Sequence, residues 1–315
     1  MRRSSLQLPP LVKKHSHQCF FGGWFGLDRL LAGILTVLWL LLSALPMIFL
    51  DLLASALAPV YRLIARRDRQ RLESNVHRIY GLPPQSHFAR MFCRQVFREQ
   101  LAIALETMRV IRFPGLARII GFEELKAQVA AAESAGRGHI MITAHLGSWE
   151  LCAYFAQKAA ARPLHVLAKP AKRRFLTRFL GVLRARMEVH VLWTDRKTLV
   201  RDMLGALKRG ESLGFVMDQK PEGRQGPKVP FLGIPTEFVT GPAAMTIRSG
   251  CPVIAIFCVR EGRGQYRLLT RTLLTADHGE KDETAITAKF ADAITSAIRA
   301  YPEQWTWSYK RWRFS

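Results

Sequence analysis

Residues Leu30 to Leu50 read LLAGILTVLWLLLSALPMIFL, 21 positions without a charge. A bilayer core about 30 Å thick takes roughly 20 such residues in a helix. After Asp51 the apolar character resumes as LLASALAPVY, up to Tyr61. A cleavable signal peptide fits poorly, because the apolar run is too long and no small-residue site closes it. A helix that spans the membrane fits best. A helix pair buried in one leaflet, or lying at the interface, is the other reading. Pro46 predicts a kink near the end of the run. Five arginines (Arg62, Arg66, Arg67, Arg69, Arg71) follow the segment within about 20 residues, which favours the cytoplasm for residue 62 onward.

The 315-residue chain carries a formal charge of +23. A charge of that size speaks about partners. One basic group precedes residue 30 (Arg2, Arg3, Lys13, Lys14, Arg29), one follows the apolar segment, and a third runs from Lys169 to Arg201. There is no zinc-finger spacing and no RNA-recognition aromatic motif, so an anionic membrane surface is the expected partner and nucleic acid is not. The five cysteines make no CxxC pair, and three of them (Cys152, Cys251, Cys258) sit among apolar residues. They read as reduced and buried, in a reducing compartment.

Residues 66–80 and 87–110 carry apolar side chains at three- and four-residue spacing and predict two helices, with Ser86 as an N-cap. From about residue 120 strands and helices alternate. Strands are expected at 139–143, 164–167, 189–192, 213–217, 253–259 and 265–273. Helices are expected at 123–134, 150–161, 173–186, 197–208, 241–248 and 283–300. The fold class is therefore α/β, a mixed, mostly parallel sheet flanked by helices, with an N-terminal membrane helix and a helical arm. The expected division is a basic segment (1–27), a membrane anchor helix (28–61), a helical arm (62–115) and an α/β domain (116–315).

The chemistry concentrates in GHIMITAHLGSWEL. An apolar strand ends at Thr143-Ala144, and His145 then stands at the carboxyl end of a strand, where open α/β sheets keep their active sites. Gly147 and Ser148 make a turn, and Glu150 enters a helix. On one continuous helix a five-residue separation would point the two side chains apart. Across a strand, turn and helix they can converge, with His145 as general base and Glu150 orienting its imidazole. Spacing alone leaves open a structural histidine beside a first-turn carboxylate favoured by the helix dipole.

HLGSWEL resembles the His-x4-Asp/Glu motif of glycerolipid acyltransferases, in the form seen in the bacterial lipid A acyltransferases, the lauroyl and myristoyl transferases. GFVMDQ (214–219) resembles that family's strand followed by Asp-Gln. KVPFLG (228–233) resembles its V-x-F-F-G loop. YPEQW (301–305), with Trp307 and Arg311, resembles its C-terminal signature. The likeness covers the apolar anchor and nearly all of residues 80 to 313. Ser148 stands where the family often has Asn, and the Thr-rich stretch after the V-x-F-F-G loop is reduced to Thr240-Gly241.

The resemblance implies an inner-membrane enzyme, its catalytic domain cytoplasmic, that needs no cofactor or metal. It would move a fatty acyl chain from acyl carrier protein or acyl-CoA to a hydroxyl of a phosphorylated lipid acceptor, a lipid A precursor. Asp218 and Gln219 would support the site or bind the acceptor. Lys220 and Arg224 could meet phosphate, as could Arg173, Arg184 and Arg186, whose guanidinium forks suit it. A lysophospholipid, aminolipid or other glycolipid acceptor is the first alternative. A basic membrane scaffold or nucleic-acid binder without enzymatic activity is the second. His139, His165 and His190 lie in or beside strands and read as packed histidines.

Overall fold

The computed structural model describes residues 25–83, 86–221 and 226–312. Most of the basic N-terminal segment, with Arg2, Arg3, Lys13, Lys14 and Cys19, lies outside the described residues, as do Arg224 and Arg313.

The apolar run forms two helices, α1 (Phe25–Ala44) and α2 (Met47–Ile64), where the sequence pointed first to one anchor helix over 28–61. The reason is Pro46. It has no N–H to continue α1, and it biases Leu45 away from the helical region. Its carbonyl instead starts α2, accepting from the Phe49 and Leu50 amides at 3.0 and 3.3 Å. Each helix is long and apolar enough to cross a membrane. Each also rests one face on the rest of the protein. Leu50, Ala54 and Ala58 of α2 are buried at four-residue spacing. Trp39 of α1 is buried, and its indole N–H donates to the Met108 carbonyl at 2.8 Å. Leu30, Ile34, Val37, Leu41, Leu52 and Leu63 stay exposed on the outer faces.

Two long helices follow, α3 (Arg66–Tyr80) and α4 (His87–Arg112). The Ser86 hydroxyl caps α4 by accepting from the Ala89 amide at 3.2 Å. Charge ties the anchor to this layer. Arg260 bonds Glu106 at 2.8 Å and Glu99 at 3.1 Å on α4, and Asp51 on α2 at 3.0 Å. Arg109 of α4 donates to the Ser43 carbonyl at the end of α1 at 2.6 Å. Breaking one member of a buried ion network leaves its partners uncompensated, at a cost of about 3–5 kcal/mol.

The centre is a seven-stranded sheet in the order β1-β9-β8-β2-β5-β3-β4. Its strands are β1 (Arg118–Ile120), β2 (Ile140–Thr143), β3 (Leu164–Ala168), β4 (His190–Trp193), β5 (Ser212–Val216), β8 (Val253–Gly262) and β9 (Gln265–Leu274). Only β8 and β9 pair antiparallel within it. Burial on both faces explains why its inner strands β2, β5 and β8 read as near-continuous apolar runs. Ile140 and Ile142 of β2 point to one core, with Phe92 of α4, Met203 of α8 (Leu199–Lys208), Met245 of α9 (Gly241–Ser249) and Phe290 of α10 (Glu283–Ala300). Met141 points to the other, with Val129 of α5 (Phe122–Glu133), Phe155 of α6 (Trp149–Ala159) and Leu183 of α7 (Arg174–Arg186). A separate hairpin joins β6 (Lys228–Phe231) to β7 (Ile234–Glu237) through Leu232 and Gly233, both at positive φ. Pro230 and Pro235 face each other in it, and proline inside a short run hides a strand signal.

Candidate active site

β2 and β5 are parallel neighbours with Thr143 opposite Val216. Two residues further along each strand stand His145 and Asp218. Register therefore brings them side by side at the carboxyl ends of the two strands. The Asp218 carboxylate accepts from His145 Nδ1 at 2.8 Å and from the His145 backbone N–H at 3.1 Å. The Trp305 indole N–H donates to the same carboxylate at 2.7 Å. Asp218 is fully buried. Burial alone would raise its carboxyl pKa, but the charge and hydrogen bonds of His145, together with Trp305, outweigh it and hold the carboxyl below its ordinary value. A proton on Nδ1 leaves Nε2 of the neutral imidazole as the basic nitrogen. Gln219, exposed, lies with its side-chain nitrogen 3.4 Å from Nε2.

The turn after β2 is fixed from several sides. The His145 carbonyl accepts from the Thr306 amide and hydroxyl, both at 3.0 Å. Gly147 has φ +59, and a Cβ there would lie 2.1 Å from the Cys258 carbonyl oxygen, so only glycine fits. The Ser148 hydroxyl caps α6 by accepting from the Leu151 amide at 3.3 Å and meets the Thr107 hydroxyl at 2.6 Å. The rings of Trp149 and Tyr309 stand edge-on to the imidazole, 5.0 and 4.8 Å between centroids. Burial, reinforced by Asp218, pushes the Tyr309 phenol up to about 12.

Glu150 is not the carboxylate on His145. It sits in the first turn of α6 and faces α7, where Arg184 takes both its oxygens, Nη2 at 2.6 Å and Nε at 3.1 Å. The two residues expected to orient the base and to bind phosphate are thus engaged with each other. Arg173 precedes α7 and is exposed. Arg186 ends that helix and lies over the Trp39 ring of α1 at 5.9 Å. Lys220 lines a separate polar cleft. His165 bonds Glu211 at 2.9 Å beside the His190 ring, away from His145 on β3 and β4. Among the described residues no group of three or more His, Cys, Asp or Glu side chains is arranged to hold a metal.

A cleft of about 410 Å³ opens along the Gly147–Glu150 turn. Ile103, Met108 and Ile111 of α4, and Phe179, Leu180 and Leu183 of α7, make its walls apolar. These are the two helices on which α1 rests. The Glu150–Arg184 pair borders this cleft and also a smaller apolar space of about 60 Å³ between α6 and the sheet.

Trp305, Thr306 and Tyr309 contact Asp218 or His145, although the sequence alone gives them no site role. The available signal was the uncharged aromatic alternation Trp305-Thr306-Trp307-Ser308-Tyr309, placed where a solvated tail would be polar.

The sequence profile of the bacterial lipid A biosynthesis acyltransferases matches residues 27–314. A phosphatidylinositol mannoside acyltransferase of Mycobacterium tuberculosis is 24% identical over 258 residues, covering 77% of either chain. A protein of the same description from Mycolicibacterium smegmatis is 25% identical over 255 residues, covering 77% of this chain and 79% of its own. With a match over nearly its whole length, the chain belongs to the bacterial lipid A biosynthesis acyltransferase family and is an acyltransferase that acts on lipids.

Proposed function

We propose that this enzyme sits on a membrane and transfers a fatty acyl chain from a thioester to a hydroxyl of a phosphorylated glycolipid, with His145 as general base. The observation that carries the proposal is the imidazole with Nδ1 bonded to a buried carboxylate and Nε2 toward an exposed side chain. Nε2 takes the hydroxyl proton as the oxygen attacks the thioester carbonyl. The imidazolium is stabilised by Asp218. The proton then passes to the departing sulfur, giving an ester and a thiol. The amides that open α6, with the helix dipole behind them, suit the oxyanion. The apolar cleft between α4 and α7 suits the acyl chain.

Asp218 takes the orienting role expected of Glu150. Glu150 holds Arg184 at the border of the acyl cleft. The outer faces of α1 and α2 rest in lipid, and the basic surface favours anionic headgroups and an acidic acyl carrier protein. Four buried free cysteines suit the cytoplasmic side of a bacterial inner membrane.

The family description favours a lipid A precursor as acceptor, and the mycobacterial relatives favour a phosphatidylinositol mannoside as a second reading. A transfer assay separates them. Acyl carrier protein and CoA thioesters are each paired with a lipid A precursor, a phosphatidylinositol mannoside and a lysophospholipid. Transfer to one of the first two supports the proposal. Transfer only to the lysophospholipid, or none at all, contradicts it.

A further inference from the structure

Lys220 and Pro221 after β5, the β6–β7 hairpin, Arg78 near the end of α3, and Arg311 with Trp312 border a cleft of about 480 Å³. Arg78, Lys220, Lys228 and Arg311 line it, with Glu237 as its acid among the described residues. Arg311 is the unusual member. Its side chain is buried to 2% exposure. One guanidinium nitrogen, Nη1, donates to the Glu237 carbonyl at 2.6 Å. Nε and Nη2 are buried with no hydrogen-bond partner among the described residues. The guanidinium lies 4.4 Å over the Phe238 ring and 5.2 Å over Phe231, which hold its plane. Burial pushes it down to about 10, although Asp218 and Glu237 pull the other way. A desolvated cation with two idle donors is costly unless an anion completes it.

Two of the segments that line the cleft run on from residues beside His145. Lys220 follows Gln219, whose side chain is 3.4 Å from His145 Nε2. Arg311 stands two positions beyond Tyr309, whose ring packs on the imidazole. Cations on four separate segments suit a tetrahedral oxyanion, which takes donors from several directions.

The geometry points to a phosphate-binding subsite formed by Arg311, Lys220, Lys228 and Arg78, which holds a phosphate of the acceptor lipid's headgroup so that its hydroxyl reaches His145. The assignment rests on the acyl-transfer reading. The same phosphate chemistry also occurs in the phosphopantetheine arm of a donor thioester, and the test separates the two sources.

The test uses the full chain in neutral detergent, as wild type and as Lys220→Ala/Lys228→Ala. Both lysines reach solvent, so this variant should fold even where Arg311→Met does not. Acceptor is supplied with its phosphate and after phosphatase treatment. Donor is supplied as a phosphopantetheine thioester and as a short thioester without phosphate. The phosphorylated over dephosphorylated ratio of kcat/KM should fall roughly tenfold or more in the variant, through acceptor KM, the scale of a lost charge-assisted hydrogen bond. An unchanged ratio overturns the subsite. A loss that follows the donor's phosphate instead overturns the headgroup assignment. Calorimetric titration with inorganic phosphate decides the matter independently of turnover. Wild type should bind it and the variant should bind at least about tenfold more weakly, the same scale. Equal binding, or none by wild type, overturns the subsite. A wild type that transfers no acyl chain yet binds phosphate in this way contradicts the acyl-transfer reading alone.

Discussion

Two histidines bracket strand β2. His139 stands just before it and His145 just after. His139 is fully buried, with the Ser212 hydroxyl 3.1 Å from its Nε2, and burial pushes its pKa down to about 4. His145 has a carboxylate on Nδ1 and a partly open Nε2. Residue type is the same and the strand is the same. What differs is the partner and the solvent. At the amino end of the strand the imidazole is held neutral and serves packing. At the carboxyl end Nδ1 is bonded to a buried carboxylate, which fixes the ring with Nε2 toward the open side, where a general base needs it.

The largest effect expected from this contrast is on stability. His139 is neutral when folded down to about pH 4 but binds a proton below about 6.5 when unfolded. Its contribution to stability is therefore intact above pH 6.5 and declines as pH falls, by on the order of 3 kcal/mol at pH 4. Denaturant unfolding from pH 7 to 4 should show this decline relative to His139→Gln. Parallel curves for the two proteins would break the contrast. Next in size, His145→Ala should lower kcat by at least about 100-fold, the scale of a missing proton-transfer group, while unfolding at pH 7 changes little. Asp218→Asn should lose a comparable factor. A smaller loss, roughly tenfold, is expected for Glu150→Gln, because Arg184 then loses its charge-assisted partner at the border of the cleft. Arg184→Met should give a similar loss, and the double variant should lose little more than either alone. Additive losses would show that Glu150 and Arg184 act separately.

The alternation of strands and helices was readable because a sheet buried on both faces demands continuous apolar runs, and α10 appears where 283–300 was expected. β1 is only three residues long, and β6 and β7 carry facing prolines, so none of the three offered a strand pattern. Pro46 was read as a kink and is a full break between two helices. His145 was legible from its place after an apolar strand. Asp218 was expected to support the site or bind the acceptor, but the carboxylate expected on the imidazole was Glu150. Glu150 is near in the chain, but the first turn of α6 carries it to Arg184. Asp218 is 73 residues away and becomes a neighbour only because β2 pairs with β5 rather than with β3. Strand order is a property of packing, which no local pattern encodes.

The central claim is that Asp218, and not Glu150, sets the state of the His145 ring. Nitrogen-15 NMR of histidine-labelled enzyme in micelles, with the His145 signals assigned by their loss in His145→Gln, tests it most directly. Wild type should show the proton on Nδ1 and a bare Nε2, unchanged in Glu150→Gln and altered in Asp218→Asn. A His145 signal that moves in Glu150→Gln and stays in Asp218→Asn would contradict the account.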